Sequence, residues 1–161
     1  MQQFFSWIVF GEDTQRFLIE RNTIEGLTDY GVQFYSSISP GSSDSIVRNN
    51  SFRNNGSAAF DGGGISVGGV NNIVYNNLVY GNYTSGIRIQ YSGAFNIRVS
   101  DNKIYNQPGH AIYVGNAWNS LVENNVFNHN GLDVVVDQGE GTVQINNVIS
   151  DTGTTVGYGP R

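Results

Sequence analysis

The chain of 161 residues is 13% charged, carries a formal net charge of −5, and contains 21 glycines and no cysteine. One domain accounts for that length without a linker, and the missing cysteines exclude a disulfide framework. The negative balance argues against nucleic acid, whose backbone selects a basic face, and no apolar run reaches the roughly 18 residues of a membrane-spanning helix.

The N-terminal run Phe4-Phe5-Ser6-Trp7-Ile8-Val9-Phe10 is apolar but short, with no basic flank and no cleavage site. It makes a poor signal peptide. Residues 1–16 read as a cap or a partial first coil, and residues 17–158 as repeats of the same single domain spanning 1–161. The repeat shows itself in a doublet: Arg21-Asn22, Asn49-Asn50, Asn76-Asn77, Asp101-Asn102, Asn124-Asn125 and Asn146-Asn147. Its second member returns at steps of 28, 27, 25, 23 and 22 residues, a period that signals a solenoid.

Around each doublet the pattern is regular. Three residues earlier stands Ile19, Val47, Val74, Val99 or Val122, and two residues later Ile24, Phe52, Val79, Ile104, Phe127 or Ile149. A second polar turn follows in most copies, as in Asn54-Asn55-Gly56, Gly81-Asn82, Asn106-Gln107-Pro108-Gly109 and Asn128-His129-Asn130-Gly131. Then comes a short alternating segment: Val32-Gln33-Phe34, Ile65-Ser66-Val67, Ile87-Arg88-Ile89, Ile112-Tyr113-Val114 and Val134-Val135-Val136. Period-two alternation between Gly and Asn turns predicts strands, and no stretch in the repeats carries the helical spacing. Each unit is too small to bury an apolar face alone, so neighbours must stack into a continuous core, about 4.8 Å apart.

The asparagines Asn22, Asn50, Asn77, Asn102, Asn125 and Asn147 form a predicted ladder. Asn tolerates left-handed backbone, and its amide both donates and accepts along a stack. The variable step allows one turn to swell outward without disturbing the strands, and residues 36–45 are the expected place.

The pattern apolar-x-Asn-Asn-x-apolar, then Asn, then Gly-apolar-x-apolar resembles the right-handed parallel β-helix repeat of the pectin-lyase-like superfamily, over residues 17 to about 158. The resemblance implies an all-β solenoid of about six coils. Activity does not follow from it, because such a fold hosts lyases, hydrolases, epimerases, spikes and binding modules. Six coils is short for an enzyme of this superfamily, so a segment of a longer protein is expected.

In the alternating strands the middle residue points outward. Stacking predicts an exposed column of Gln33, Ser66, Arg88, Tyr113 and Val135, and a second of Tyr35, Gly68, Gln90, Gly115 and Asp137, flanked by Tyr91, His110 and Trp118. Rings beside amide and guanidinium groups suit sugars, which offer C–H faces and hydroxyl edges. Gln33, Tyr35, Gln90, Tyr91 and Trp118 are therefore candidate substrate-binding residues.

His110 lies in Gly109-His110-Ala111-Ile112-Tyr113-Val114-Gly115, which resembles the Gly-His-Gly segment of hydrolases that cleave polygalacturonate. The paired aspartates of those enzymes are absent, and Arg88-Ile89-Gln90 precedes the histidine instead of following it. Without two carboxylates, acid/base glycoside hydrolysis lacks its machinery. A polyuronate lyase or C5-epimerase needs a base and carboxylate-neutralising cations, for which His110, Tyr113, Arg88 and Lys103 are the candidate catalytic residues. The Asp-Pro-His segment of mannuronan epimerases is not present.

No metal site is assigned, and the residues mark no definite cofactor. Ca2+ held by the oxygens of Asp133, Asp137 and Glu140 stays open against the reading of these groups as solvated turn charges. The Gly run after Asp61 lacks a phosphate-loop Lys and reads as turn geometry. Sequon-like Asn49-Asn50-Ser51, Asn55-Gly56-Ser57 and Asn82-Tyr83-Thr84 are expected by chance in an Asn-rich repeat. The expected function is an extracellular or cell-surface β-helix that binds or processes an acidic polysaccharide. The alternative is a non-catalytic structural or adhesion segment of a larger surface or spike protein, with end-to-end or lateral self-association. An ice-binding face would want a regular Thr array, which the outward column lacks.

Overall fold

The structure is a computed structural model that describes residues 8–11, 13–35, 41–91, 93–138 and 140–150, with backbone alone at 133 and 135–138. Twenty strands and no helix are found among these residues. All pair in parallel with the equivalent strand of the next coil, forming three six-stranded sheets and one two-stranded sheet. The chain is a parallel β-helix, as the alternation predicts.

The first sheet stacks Ile8–Phe10, Val32–Phe34, Ile65–Val67, Ile87–Ile89, His110–Gly115 and Leu132–Gln138. The second stacks Leu18–Glu20, Ile46–Arg48, Ile73–Tyr75, Arg98–Ser100, Leu121–Glu123 and Val143–Ile145. The third stacks Thr23–Glu25, Ser51–Arg53, Leu78–Tyr80, Lys103–Tyr105, Val126–Asn128 and Val148–Ile149. From the first rung of the first sheet to its sixth the chain makes five complete turns, slightly fewer than the expected six. Ile8–Phe10 is itself a rung, paired with Val32–Phe34, while the rest of the apolar run lies outside the described residues. So does the C-terminal stretch after 150.

The core is what the repeat spacing places inward. Val47, Val74, Val99 and Val122 from the second sheet are fully buried, as are Phe52, Val79 and Ile104 from the third. The first sheet contributes two inward residues per strand, such as Ile65 and Val67 or Ile87 and Ile89. At the first coil the Phe10 and Phe17 rings stack at 3.6 Å and meet Phe34 edge-on.

Between the second and third sheets the six asparagines form the predicted ladder. The backbone N–H and Nδ2 of Asn77 both donate to Asn102 Oδ1, at 2.9 and 3.0 Å, and those of Asn102 both donate to Asn125 Oδ1 at 3.0 Å. Each interior Nδ2 also reaches a backbone carbonyl of the preceding coil, as Asn102 does to Val74 at 3.0 Å. Buried turn backbone is thereby satisfied, as a closed interior demands. A second ladder, Asn55, Asn82, Gln107 and Asn130, runs between the third sheet and the first.

Two expectations change here. The left-handed residue of each doublet is the first member, not the ladder Asn: Arg21, Asn49, Asn76, Asp101, Asn124 and Asn146 have φ between 52° and 60°. The expected outward bulge at 36–45 lies partly outside the described residues, and its end is internal. Ser42 and Ser45 are fully buried, and Ser43 bridges Gln15 and Val70. The Gly run at 62–64 is coil-to-coil packing, since a Cβ on Gly63 would meet the Ser85 carbonyl at 2.2 Å. The sequon residues Asn55 and Asn82 are buried ladder members.

Candidate functional site

Parallel register aligns the middle residues of the first-sheet strands: Val9, Gln33, Ser66, Arg88, Tyr113 and Val135 share one column. Alternation dictates this, because the residues flanking Gln33, Ser66, Arg88 and Tyr113 are buried Val, Ile or Phe. The column is not uniformly exposed. Ser66 is completely buried, correcting the expectation that it faces solvent, because neighbouring side chains close over it. Arg88 reaches back across the Ser66 coil to donate from Nη1 to Tyr30 Oη at 3.0 Å. Gln33 Nε2 donates to Tyr91 Oη at 2.7 Å, and Gln90 Nε2 to Ser66 Oγ at 3.0 Å. Two polar straps thus span the coil that carries Ser66.

Arg88 is the hub. Its guanidinium lies over the Tyr113 ring, 4.9 Å from the centroid, a cation–π arrangement. Its Nη1 is 3.4 Å from the Asp61 carboxylate. Its Nε is buried with no hydrogen-bond partner. The His110 and Tyr113 rings are 5.2 Å apart. A glycine makes room for this ring: a Cβ on Gly115 would meet Tyr113 Cε1 at 2.5 Å. Tyr35 stands 46% exposed and packs edge-on against Tyr91 at 5.5 Å.

Tyr91 has φ 87°, a left-handed backbone that a bulky residue adopts only under constraint from its surroundings. Its hydroxyl bond to Gln33 and its ring contact with Tyr35 supply that constraint.

The electrostatics follow from burial and neighbours. Burial pushes the Tyr30 hydroxyl above its ordinary pKa, with the adjacent Arg88 opposing, so Tyr30 stays a neutral phenol. Burial works against the Arg88 charge, yet Tyr30 and Asp61 outweigh it and raise the pKa. His110 is lowered by burial and by the Arg88 charge, with Asp61 opposing. At neutral pH the site holds a permanent cation beside a neutral imidazole, which can accept a proton or a hydrogen bond.

Of the sequence-named residues, the structure brings together His110, Tyr113 and Arg88 on one side and Gln33, Tyr35, Gln90 and Tyr91 on the other, joined through Ser66. Lys103 stands elsewhere, on the third sheet between Leu78 and Val126. Trp118 lies past the corner of the first sheet, on a short strand in register with Phe95; both rings are exposed. The second column breaks at its end, because a register shift pairs Gly115 with Gln138 instead of Asp137. The side chains of Val135, Asp133 and Asp137 lie outside the described residues. Among the described residues no three His, Cys, Asp or Glu side chains converge to hold a metal, and no helix is long and apolar enough to cross a membrane.

Sequence reasoning missed Tyr30 and Asp61. The register offered a signal for Tyr30: Tyr30, Gly63, Ser85 and His110 each sit two residues before the paired Val32, Ile65, Ile87 and Ile112. Two ring-bearing residues thus bracket two small ones in one column, and Arg88 extends toward the farther ring. Asp61 had no comparable signal, since it belongs to a turn outside the repeat.

Comparison with known proteins adds to this picture. No curated protein matches the sequence. Among solved structures, the periplasmic alginate epimerase AlgG matches with a TM-score of 0.59 at 18% identity, over 88% of this chain and 42% of that one. The likeness is one of fold, and this chain spans about two fifths of that neighbour's length. A family model described as a right-handed β-helix region matches residues 8–96 and again 60–159. Its handedness agrees with the expected winding, and with nearly every coil covered by that match the chain belongs to the right-handed β-helix family.

Proposed function

We propose that the chain binds an acidic polysaccharide along the outer face of the first sheet, with Arg88 as the carboxylate-recognising cation. The observation that carries this is the Arg88 cluster: a guanidinium lying over Tyr113, beside His110, with a quarter of its side chain open to solvent. Guanidinium pairs with carboxylate in a planar fork, and the neighbouring rings offer apolar surface to sugar C–H faces. The β-helix neighbour that acts on alginate and is periplasmic supports the substrate class and an extracytoplasmic location.

The test is retention on alginate and polygalacturonate by affinity electrophoresis. Arg88→Gln should weaken binding about tenfold or more, the worth of a charge-assisted hydrogen bond. Tyr113→Ala should weaken it while leaving the melting temperature nearly unchanged. Equal retention of wild type and Arg88→Gln would sink the proposal.

A second reading is favoured by the neutral His110 next to Tyr113 and Arg88. In it, His110 takes a proton from the carbon next to the bound carboxylate while Arg88 stabilises the charge that develops. The intermediate then either expels the glycosidic oxygen from the adjacent carbon, which leaves with a proton from water, or takes a proton back from water on its opposite face. Incubation with either polymer should then give unsaturated products absorbing in the ultraviolet, or epimerised residues by NMR. Unchanged polymer after long incubation leaves binding alone.

A further inference from the structure

Asp61 approaches Arg88 from the solvent side. Its side chain is 68% exposed, against 25% for Arg88, so the carboxylate sits on top of a recessed cation. The separation of 3.4 Å is long for a charge-assisted bond, which settles near 2.7–2.9 Å. The turn bearing Asp61 is held by other means. Its N–H donates to the Ser57 carbonyl at 3.0 Å, and its own carbonyl accepts from Thr84 Oγ1 at 3.0 Å and Tyr30 Oη at 3.4 Å. The fold therefore does not need the carboxylate where it is. Arg88 meanwhile keeps an unpartnered Nε, so its donors are not fully served by the protein.

We propose that Asp61 is a built-in competitor for Arg88: it occupies the place that a uronate carboxylate takes, and binding displaces it. This rests on the reading of the first-sheet face as an acidic-glycan site and assigns a residue that tunes it. With Asp61 in place the cluster carries little net charge, so a ligand must bring a carboxylate able to out-compete a weak, solvent-facing one. Isolated anions bind poorly under that rule. An oligouronate, whose other rings gain surface on Tyr113 and its neighbours, binds well.

The experiment compares wild type, Asp61→Asn and Asp101→Asn by calorimetric titration with an alginate hexasaccharide and an oligogalacturonate hexamer. Asn is at ease in the left-handed backbone of residues 61 and 101, so both variants should fold, as a thermal melt will verify. Asp61→Asn should bind about three- to fivefold tighter, the scale that a part-exposed ion pair supports. Asp101→Asn makes the same change in net charge at the corner between the second and third sheets and should bind like wild type. His110 gives a second readout, because Asp61 holds its pKa up. In free Asp61→Asn the NMR titration of His110 should move down, and the hexasaccharide should move it back up.

Asp61→Asn binding no tighter than wild type, while Arg88→Gln in the same titration binds about tenfold or more weaker, overturns the competitor role and leaves the glycan face standing. Equal tightening in Asp101→Asn reduces the effect to general repulsion and also overturns it, as does a His110 that the ligand does not move. Absence of binding in all three proteins overturns both readings.

Discussion

At each doublet, two adjacent residues divide the work of turning the chain. The first adopts left-handed backbone, and the second sends its amide down the stack. Asn and Asp fill the first role in five of the six copies, and Arg21, with φ 60°, fills it in the sixth. A left-handed L-residue costs roughly 1–2 kcal/mol, and Asn recovers part of that through local hydrogen bonding. Arg21→Asn should therefore stabilise the protein by about 0.5–1 kcal/mol, raising the melting temperature by about 1–4 °C for a chain of this size. A thermal melt showing no rise would mean that this corner is not strained. The doublet was legible from spacing alone, because every position of the first ladder could be read from it. The division of labour was not, since Asn suits both roles and composition cannot tell which member bends. Tyr91 was illegible for a related reason: nothing in the sequence marks a tyrosine for left-handed backbone, and it is held there by Gln33, Tyr35 and a turn bond from the Ala94 N–H to its carbonyl.

Among elements, position in the stack decides what a residue is worth. Asn102 is fully buried and donates to Asn125, Val74 and Ser100 while accepting twice from Asn77. Asn102→Ala strands several of those groups in a closed interior, at about 1–3 kcal/mol for each one left unpaired. Its cost should reach about 3 kcal/mol or more. Asn22 is the exposed first amide, and Asn50 Oδ1 still accepts from its backbone N–H when the side chain is gone. Asn22→Ala should cost under about 1 kcal/mol. Urea melts of the two variants check the ordering, and equal losses would show that the ladder is not cooperative with the core. The strands were legible because their inward residues recur at fixed offsets from the doublet. The second ladder was hidden by Gln107, which does an asparagine's work with a longer side chain. The site was legible only where the repeat carried it: Arg88, Tyr113 and Gln33 fall in a predictable column, whereas Asp61 enters from a turn that no periodicity describes.

The whole molecule spreads its charge so that one face stands apart. On the second and third sheets the arginines are answered: Arg48 pairs with Glu20, Arg53 with Glu25 and Arg98 with Glu123. Arg48 and Arg53 also bond Tyr75 and Tyr80 of the next coil. Among the described residues, Arg88 is the one Arg or Lys carried by a strand of the first sheet, on a chain with a net charge of −5. A polyanion approaching this protein meets long-range repulsion and a single local cation. Proteins that grip polyanions through many basic contacts lose affinity steeply with salt, because each contact releases a counterion. Here one contact releases at most about one counterion, while screening relieves the overall repulsion over a Debye length of about 10 Å at 0.1 M. The two effects oppose each other. Binding of the alginate hexasaccharide should therefore vary little between 50 and 500 mM salt, with a log–log slope of magnitude below about 1. Calorimetric titration across that range is the check. A steep slope would require several cations in the interface, and the first-sheet face would then be the wrong surface.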